Sequence, residues 1–463
     1  MTLAAPEACD LLIRHGYVLT VDPERTVHPD GAIAITGSII SAIGPDAEIA
    51  ARYSASRVID ARGAPVHPGM IDPHVHTTTH LSRTAFSDDP AVDSFALFAG
   101  WFNAVDDEDE HANALVVCLE LMRNGFTAAM EPGTVFSPDA LATAAEAVGV
   151  RISLADPFVW DLDSGGNPLA SRLPRVPASA ARAQSVLGRE LARNRDNTGR
   201  VHAHVAVYGS GSVSEDLEVA AKRLADANGV IFNQHQNFNP TQVANDDRRL
   251  GKHALVRLAE LGVLGPNTSF THMNMLRDDE VELVVASGMS IVWQPGNFQY
   301  YGIAKSQPSR VPGLIARGVN VTPCVDAAKI WTFGDMARIA YLIARQQGDY
   351  LPCDTLFEMQ TIGAARTLGL AHLIGSIEPG KRADIVIRRE DLPEALPNLN
   401  VPMQILLLSQ SRAVDTVICN GDIILRKGVA TRIDEDVVYD RARASVRRVL
   451  GKLGLTVPPS AAR

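Results

Sequence analysis

The sequence has little cysteine, no excess of positive charge and no long apolar run. Its five cysteines, spread over 463 residues, are odd in number and include no Cys-x-x-Cys pair. This pattern excludes a disulfide framework and a thiolate zinc site and is typical of a reducing compartment. The net charge of −10 argues against nucleic acid and anionic membranes as partners. No stretch reaches the roughly 18 apolar residues of a membrane span, and the first residues lack a secretion signal, so we expect a cytoplasmic protein.

Short strand-like segments separated by turn residues occur near both ends of the chain. They lie within residues 1–65 and again within residues 378–430. Because the termini of a domain tend to lie close together, the two segments are predicted to pair into one small β-sandwich domain. Residues 431–463 are arginine-rich and have the pattern of a helical tail with a frayed end.

The middle of the chain, residues 66–377, alternates apolar strand-like runs with longer amphipathic stretches. Near-continuous apolar strands separated by helices indicate a parallel sheet that is buried on both faces. Eight such units predict an α/β fold, a distorted (β/α)8 TIM barrel. The eight runs are residues 66–76, 127–133, 151–158, 200–209, 229–237, 268–274, 290–296 and 320–326.

Polar residues at the ends of these runs define a candidate metal site. In such a barrel the active site lies at the carboxyl ends of the strands. The first run ends in His74 and His76, which point the same way because they are two residues apart in a strand. The fifth, sixth and eighth runs end in His235, His272 and Asp326. Imidazole and carboxylate ligands suit one divalent ion, such as zinc, cobalt, iron or manganese.

Three other histidines serve as an internal control for this argument. His202 and His204 form a second His-x-His pair, but they lie at the start of their run. A strand of five residues spans on the order of 15 Å, so this pair is predicted to lie far below the catalytic end. His67, at the start of the first run, is assigned a structural role for the same reason.

Several long segments resemble the amidohydrolase superfamily, in particular its cytosine deaminase and chlorohydrolase-like branch. The first of them reads "HPGMIDPHVH", and the resemblance covers nearly the whole chain, including both β-rich ends. The matching segments are residues 67–76, 214–237, 258–298, 314–326 and 364–387. The resemblance implies that His74, His76, His235 and Asp326 bind the metal and that His272 binds either the metal or the substrate. It also implies a small-molecule substrate and a homo-oligomer.

One feature common in the superfamily is missing from the fourth run. Many members bridge two metal ions with a carboxylated lysine at the end of this strand, but here it reads "VAVYGSGS". Lys222 lies in the following helical pattern and is expected to be solvated. The sequence therefore predicts one metal ion per chain.

A second absence concerns the acid that the deaminase branch usually carries three residues after the fifth-strand histidine. Phe238 occupies that position here, and the neighbouring Asn237 cannot deliver a proton at ordinary pH. Loss of general acid–base help costs about 10²–10⁴-fold in rate, so aromatic-ring deamination is disfavoured. We expect hydrolysis of a C–N or C–S bond in a neutral, hydrophobic amide, urea or (thio)carbamate, as in the phenylurea and molinate hydrolase subgroup. The alternative is a deaminase or dechlorinase of an aromatic heterocycle, with the acid supplied by Glu131.

Catalytic and binding roles follow from this expectation. Asp326 would accept the proton of the attacking water, His272 would stabilise the oxyanion, and Asn237 would hold the urea or carbamate group. Binding pockets are mostly apolar with few polar anchors, which fits a hydrophobic substrate. The predicted substrate-binding residues are Phe238, Trp293, Asn297, Tyr300, Tyr301 and Trp160.

Overall fold

The structure is a computed structural model. It describes residues 5–85, 89, 92, 94–163, 169–195, 198–327 and 329–455. The strands are β1 (Glu7–Leu19), β2 (Val27–Thr36), β3 (Ile39–Pro45), β4 (Tyr53–Asp60), β5 (Pro65–Pro68), β6 (Met70–Asp72), β7 (Phe126–Met130), β8 (Arg151–Leu154), β9 (Val201–Ala203), β10 (Val205–Gly209), β11 (Phe232–Gln236), β12 (Thr268–His272), β13 (Ser290–Trp293), β14 (Asn320–Pro323), β15 (Ile385–Arg388), β16 (Val414–Cys419), β17 (Asp422–Arg426) and β18 (Val429–Ala430).

The helices lie mainly between the central strands. They are α1 (Asp46–Arg52), α2 (Ser94–Ala104), α3 (Asp107–Arg123), α4 (Pro138–Val148), α5 (Ala180–Val186), α6 (Glu215–Asn228), α7 (Pro240–Leu250), α8 (Ala254–Glu260), α9 (Asp278–Ser287), α10 (Pro295–Tyr300), α11 (Val311–Ala316), α12 (Met336–Gln347), α13 (Cys353–Met359), α14 (Ile362–Thr367), α15 (Val401–Met403) and α16 (Glu435–Lys452). Short 3-10 segments, such as Thr77–Ala85, and one π-helical turn at Gln404–Ser409 complete the described elements. In this described part of the chain, none of the helices is both long and apolar enough to cross a membrane.

Strands from both ends of the chain join in one sheet, as the sequence predicted. β1 pairs with β2, β4 and β5, and β5 pairs in turn with β15. β16, β17 and β18 extend the sheet from β15, so the described strands form a continuous nine-stranded sheet. Apolar clusters cover both faces of β1, with Leu11 and Ile13 on one side and Cys9 and Leu12 on the other.

The central strands form the parallel barrel. β6 to β9 make one parallel sheet and β10 to β14 make the other. The fourth predicted strand is divided between them at His204, whose N–H donates to Leu154 O at 2.9 Å. On the opposite side, Val75 bridges Asp326 in parallel register and closes the ring. The α/β barrel fold and the β-rich unit built from both termini are thereby confirmed.

The first predicted strand, residues 66–76, differs from the expectation. It is divided in two, because β5 belongs to the terminal sheet and β6 to the barrel. The chain changes sheets at Gly69, where it passes so close to Thr127 that a Cβ atom would lie 2.0 Å from Oγ1. Only glycine fits this crossing, so the Pro-Gly pair before the metal motif is a structural requirement.

Helix ends follow the local sequence signals. Ser214 caps α6, acidic residues fill its first turn, and Gly229 ends it in the left-handed conformation. Lys222 in this helix is buried and lies 2.5 Å from Asp226, so the expectation that it is solvated was wrong. The predicted C-terminal helix is α16, which an Arg448–Asp109 ion pair of 2.7 Å joins to α3. The predicted frayed end falls on residues 456–463, outside the described residues.

Candidate metal centre

Three buried histidines converge at the carboxyl end of the barrel. His74 and His76 follow β6, and His235 lies in β11 across the barrel. The Nε2 atom of His76 is 3.2 Å from Nε2 of His74 and 3.3 Å from Nε2 of His235. The three ring nitrogens thus surround a common point.

The outer ring nitrogens of the same histidines are all engaged by oxygen atoms. Nδ1 of His74 is 2.9 Å from Thr271 Oγ1, and Nδ1 of His76 is 2.7 Å from Thr134 Oγ1. His235 Nδ1 lies 2.8 Å from the carbonyl oxygen of Tyr208. A proton on each Nδ1 leaves the Nε2 lone pairs directed inward, which is the arrangement of metal-binding histidines.

Burial keeps the imidazoles of His74 and His235 in the form that binds metals. It lowers the pKa of His74 well below 6.5, with the neighbouring histidines adding to the effect. Burial and the proximity of His76 lower the pKa of His235 to about 3. Because a metal ligand must be a neutral imidazole, the site is prepared for an ion rather than for a protonated histidine.

Asp326 adds a carboxylate to this cluster. Its Oδ1 atom is 3.2 Å from Nε2 of His76, and its Oδ2 atom is 3.7 Å from Nδ1 of His272. His272 Nδ1 is buried and makes no hydrogen bond within the described residues. Burial lowers the pKa of His272 to about 4 despite the opposing charge of Asp326. An uncharged imidazole with a free nitrogen next to a carboxylate can contact an ion or a substrate.

The donor set fits one divalent ion. Three imidazole nitrogens and one carboxylate are ligands that zinc and similar ions prefer. Among the described residues, His74, His76 and His235 form the buried group whose ligand atoms lie within 4.8 Å of one another. The other candidate group, His15 with Asp30 and Asp46, is partly exposed, and Arg14 already pairs with Asp46 at 2.5 Å.

Asp72 fixes the two strands that carry the ligands. Its carboxylate accepts the N–H of His74 at 3.0 Å and the N–H of Val325 at 2.8 Å. Burial raises the pKa of this carboxyl to about 8, although the two backbone donors oppose the shift. This aspartate of the "GMID" segment therefore holds His74 and Asp326 in register.

Comparison with known proteins identifies the family of this chain. A profile described as "Amidohydrolase family" matches residues 66–424. The chain belongs to the amidohydrolase family. It is thus a metal-dependent hydrolase of a class that acts on carbon–nitrogen bonds. The fold described above is therefore that of an amidohydrolase.

Two curated relatives are similar over nearly the whole amidohydrolase chain. It is 25% identical over 457 residues to the 5'-deoxyadenosine deaminase of Methanosarcina mazei, covering 96% of this chain and 99% of the relative. It is 27% identical over 450 residues to the 5-methylthioadenosine/S-adenosylhomocysteine deaminase of Syntrophobacter fumaroxidans, covering 95% and 98%.

Two solved structures share the fold. An adenosine deaminase from Xanthomonas campestris with bound zinc has a TM-score of 0.87 at 24% identity, covering 96% of this chain and 100% of its own. A mutant of atrazine chlorohydrolase TrzN from Arthrobacter aurescens TC1, in complex with zinc and atraton, has a TM-score of 0.83 at 21% identity, covering 94% and 100%.

Glu131, considered from the sequence as an alternative acid, supports a ligand of the amidohydrolase site instead. Its carboxylate accepts the N–H of Gly133 at 2.8 Å and the hydroxyl of Thr134, which in turn contacts His76. Burial raises the pKa of Glu131 to about 7, while the Thr134 hydrogen bond lowers it. The hydrogen-bonded chain Glu131–Thr134–His76 ends on a predicted metal ligand, and the role of Glu131 as an acid stays a prediction.

Asn237 does not have the position expected of a substrate anchor. Its amide donates to Met275 O at 3.1 Å and to Glu280 Oε1 at 3.3 Å, and its Oδ1 accepts from Gln236 at 2.8 Å. The backbone of Asn237 is left-handed, with φ of 51°, which turns the side chain toward the loop after β12. These contacts make Asn237 a link between two loops at the candidate site, and a role in holding the substrate stays a prediction for it.

The predicted aromatic wall is present in part. The ring of Phe238 lies 4.5 Å from that of His272 and meets Tyr301 edge-on at 5.5 Å. Tyr300 lies 5.1 Å from Tyr301. Asn297 reaches the site directly, because its Nδ2 donates to Asp326 Oδ2 at 3.0 Å.

Two tryptophans predicted to bind substrate lie in packed cores instead. Trp160 is fully buried, donates to Val176 O at 2.7 Å and packs on Tyr208. Trp293 is buried against Phe298. Their burial and ring contacts account for both as packing residues, and substrate binding by either stays a prediction.

The three histidines predicted to be structural contact other side chains near the start of the strands. His202 lies 3.1 Å from Arg151, which forms a buried ion pair with Asp384 of the terminal sheet. His204 contacts Ser153 at 2.9 Å, and His67 accepts from Arg388 at 2.9 Å.

The sequence analysis missed Lys329. This lysine follows the eighth strand, is buried, and donates to Asn297 Oδ1 at 3.0 Å. A lysine three residues after the predicted ligand Asp326, within an apolar segment, was a usable signal.

Proposed function

We propose that this amidohydrolase uses one metal ion to hydrolyse the bond between a ring carbon of a nitrogen heterocycle and its leaving group. The leaving group is ammonia, an amine or chloride. The observation that carries the proposal is the convergence of the Nε2 atoms of three buried histidines beside the Asp326 carboxylate. His74, His76, His235 and Asp326 would hold the ion, and zinc suits this donor set.

The chemistry divides between the ion and the chain. When bound, a divalent ion supplies Lewis acidity and lowers the pKa of a coordinated water. Asp326 is the carboxylate positioned to accept a proton from that water. His272, with a free Nδ1 that is 3.7 Å from Asp326, is positioned to hydrogen-bond to the attacked group or to the incoming oxygen.

The relatives support the heterocycle as substrate over the amide or urea first expected from the sequence. The curated proteins similar to nearly the whole chain are named as deaminases of adenosine derivatives. The wall made by Phe238 and Tyr301 agrees with a flat substrate, since an aromatic ring can stack or meet these rings edge-on.

A second candidate is hydrolysis of an amide, urea or (thio)carbamate, and one observation favours it. Phe238 lies where the deaminase branch carries its acid, and Glu131 is directed at Thr134 rather than at a substrate. A carbonyl carbon needs less acid assistance than a ring nitrogen, because the ion itself polarises the C=O group.

The two candidates differ in the product that is released. We would supply the metal-loaded protein with aminopurines, amino- and chlorotriazines, phenylureas, anilides and thiocarbamates, and measure ammonia, chloride, amine and thiol. The proposal predicts ammonia, alkylamine or chloride release from the heterocycles, with about one metal ion per chain. Turnover of the ureas or thiocarbamates alone would replace it with the second candidate.

The expected homo-oligomer stays a prediction, and light scattering would measure the oligomeric state.

A further inference from the structure

The buried lysine of the eighth loop is connected to the candidate metal centre through one amide. Nζ of Lys329 donates to Oδ1 of Asn297 at 3.0 Å, and Nδ2 of Asn297 donates to Oδ2 of Asp326 at 3.0 Å. Lys329, Asn297 and Asp326 are all at least 94% buried, because their exposed fractions are 6%, 3% and 4%. The three side chains therefore form a buried series of hydrogen bonds that ends on a predicted metal ligand.

The charges at the two ends determine how the amide is oriented. An ammonium group can only donate hydrogen bonds and an ionised carboxylate can only accept them. A flipped amide would place NH₂ against the ammonium of Lys329 and oxygen against the carboxylate of Asp326. Both contacts would be repulsive, so Lys329 and Asp326 together permit one orientation of Asn297. Hydrogen bonds in such a chain also polarise one another.

The amide and the ammonium are held from other directions as well. Asn297 lies in the first turn of α10, where its N–H donates to the side chain of Gln294. Nζ of Lys329 lies 5.3 Å from the ring centre of Tyr301 and 5.5 Å from that of Trp331. Aromatic faces stabilise a desolvated cation, which helps to keep a charge at this depth. Burial lowers the pKa of Lys329 to about 8, and the charge of Asp326 opposes this shift.

We propose that Lys329 is a positioning residue of the active site, which fixes the amide of Asn297 so that Nδ2 is presented to Oδ2 of Asp326. Asp326 then keeps Oδ1 toward His76 and the metal site, where the carboxylate can bind the ion and accept a proton. The assignment deepens the proposed function and depends on it, since it concerns the base of that same hydrolysis.

Single and double variants test this assignment. Lys329→Met keeps an unbranched side chain but removes the donor, Lys329→Gln keeps a neutral donor, and Asn297→Ala removes the amide. Lys305→Met is the matched control, because it removes the charge of an exposed lysine in the short 3-10 helix Ile303–Lys305 that follows α10. Each variant is purified, checked for folding by circular dichroism, analysed for metal and assayed for kcat and KM.

A positioning role has a specific signature in these measurements. Loss of an outer hydrogen-bond partner of a ligand costs about 10–100-fold, so we expect this fall in kcat for Lys329→Met, with KM and metal content nearly unchanged. Lys329→Gln should recover part of the loss. Adding Lys329→Met to Asn297→Ala should lower kcat by less than about twofold further, because both changes break the same chain. Lys305→Met should behave as the unaltered protein.

A spectroscopic measurement gives a second readout that does not require turnover. In the cobalt-substituted protein, the visible absorption bands report the ligand geometry. Lys329→Met and Asn297→Ala should shift these bands alike, and Lys305→Met should not shift them. Unshifted bands in both site variants would overturn the assignment whether or not a substrate is known.

The remaining outcomes separate the two proposals. Additive losses in the double variant, or a rise in KM alone, would show that Lys329 acts apart from Asn297 and would overturn the assignment. So would failure of both Lys329→Met and Lys329→Gln to fold, which would make the lysine structural. If only a urea or carbamate is turned over, the cycle is run on that substrate. If the losses in kcat are then non-additive, Lys329 remains a positioning residue, and only the proposal of a heterocyclic substrate is rejected.

Discussion

The hydroxyl group of Thr134 provides a direct test of the candidate metal centre. We predict that Thr134→Val weakens metal binding by about 10–100-fold, the usual cost of losing an outer partner of a ligating histidine. The hydroxyl lies 2.7 Å from Nδ1 of His76 and donates to the carboxylate of Glu131. Valine has nearly the same shape, so the change removes two hydrogen bonds and little packing.

The magnitude can be estimated from the contacts that remain. At about 1.4 kcal/mol per factor of ten, the expected loss of binding free energy is about 1.4–2.8 kcal/mol. Glu131 keeps the N–H groups of Gly133 and Thr134 at 2.8 and 2.9 Å, so its own burial stays largely compensated. The metal-free protein should therefore lose only about 1 kcal/mol of stability, the low end of the range for an unsatisfied buried group.

Two further threonines make the experiment a graded series. The hydroxyl of Thr271 lies 2.9 Å from Nδ1 of His74. Unlike the hydroxyl of Thr134, it donates no hydrogen bond to a carboxylate among the described residues, so Thr271→Val should weaken metal binding less. Thr322 is buried in β14, with its hydroxyl 3.4 Å from both Ile291 O and Thr367 Oγ1 rather than beside a ligating histidine, so Thr322→Val should leave binding unchanged.

The assay is competition for zinc with a chromophoric chelator, together with thermal unfolding of the metal-free proteins. The expected order of weakening is Thr134→Val, then Thr271→Val, then Thr322→Val. Equal zinc affinity in all three variants would refute the argument that these hydroxyls orient the ligands.

Three other predictions concern the ligands, the buried charge and the aromatic wall. His235→Ala should lose metal and activity together, and full metal occupancy in that variant would exclude His235 as a major ligand. Burial lowers the pKa of Lys329 to about 8, against about 10.4 in the unfolded chain. Between these pH values the folded protein binds fewer protons than the unfolded chain, so the free energy of unfolding increases as the pH rises from about 8 to about 10.4. In thermal unfolding at pH 7, Lys329→Met should be more stable than the unaltered protein by up to about 3 kcal/mol, and this difference should disappear by pH 10. A difference that stays constant with pH would contradict the lowered pKa of Lys329. Phe238→Glu should flatten the dependence of kcat on leaving-group pKa in a triazine series, and an unchanged slope would show that position 238 supplies no acid.

The strand ends of the barrel could be predicted from the sequence because two regular features fix them. Apolar runs of strand length locate each β-strand, and the two-residue period sets which side chains point inward. His74, His76 and His235 are brought together as that reasoning required. The division of the first run at Gly69 could not be predicted, because it depends on a contact with Thr127 from another strand.

Side-chain directions are hardest to predict where the barrel strands end. Asn237, His272 and Asp326 have φ values of 51°, 80° and 57°, so the chain leaves the extended conformation where the site residues lie. The two-residue period gives no side-chain direction after such a turn. Asn237 consequently turns to the neighbouring loop. Left-handed backbone in non-glycine residues costs energy, and it often occurs at functional sites where the surroundings hold it in place.

Phe238 shows how the absence of one residue can be interpreted in two ways. From the sequence, a phenylalanine in place of an acid implied a reaction that needs no acid. In the structure, Phe238 packs on His272, Tyr301 joins it edge-on, and Lys329 lies 5.3 Å from the Tyr301 ring centre. The position therefore belongs to an aromatic wall in which Phe238 contacts His272 and Tyr301 lies between Phe238 and the ammonium of Lys329. The same ammonium is joined to Asp326 through Asn297. The reaction must then be inferred from the cation, the amide and the carboxylate together, and not from the absent acid alone.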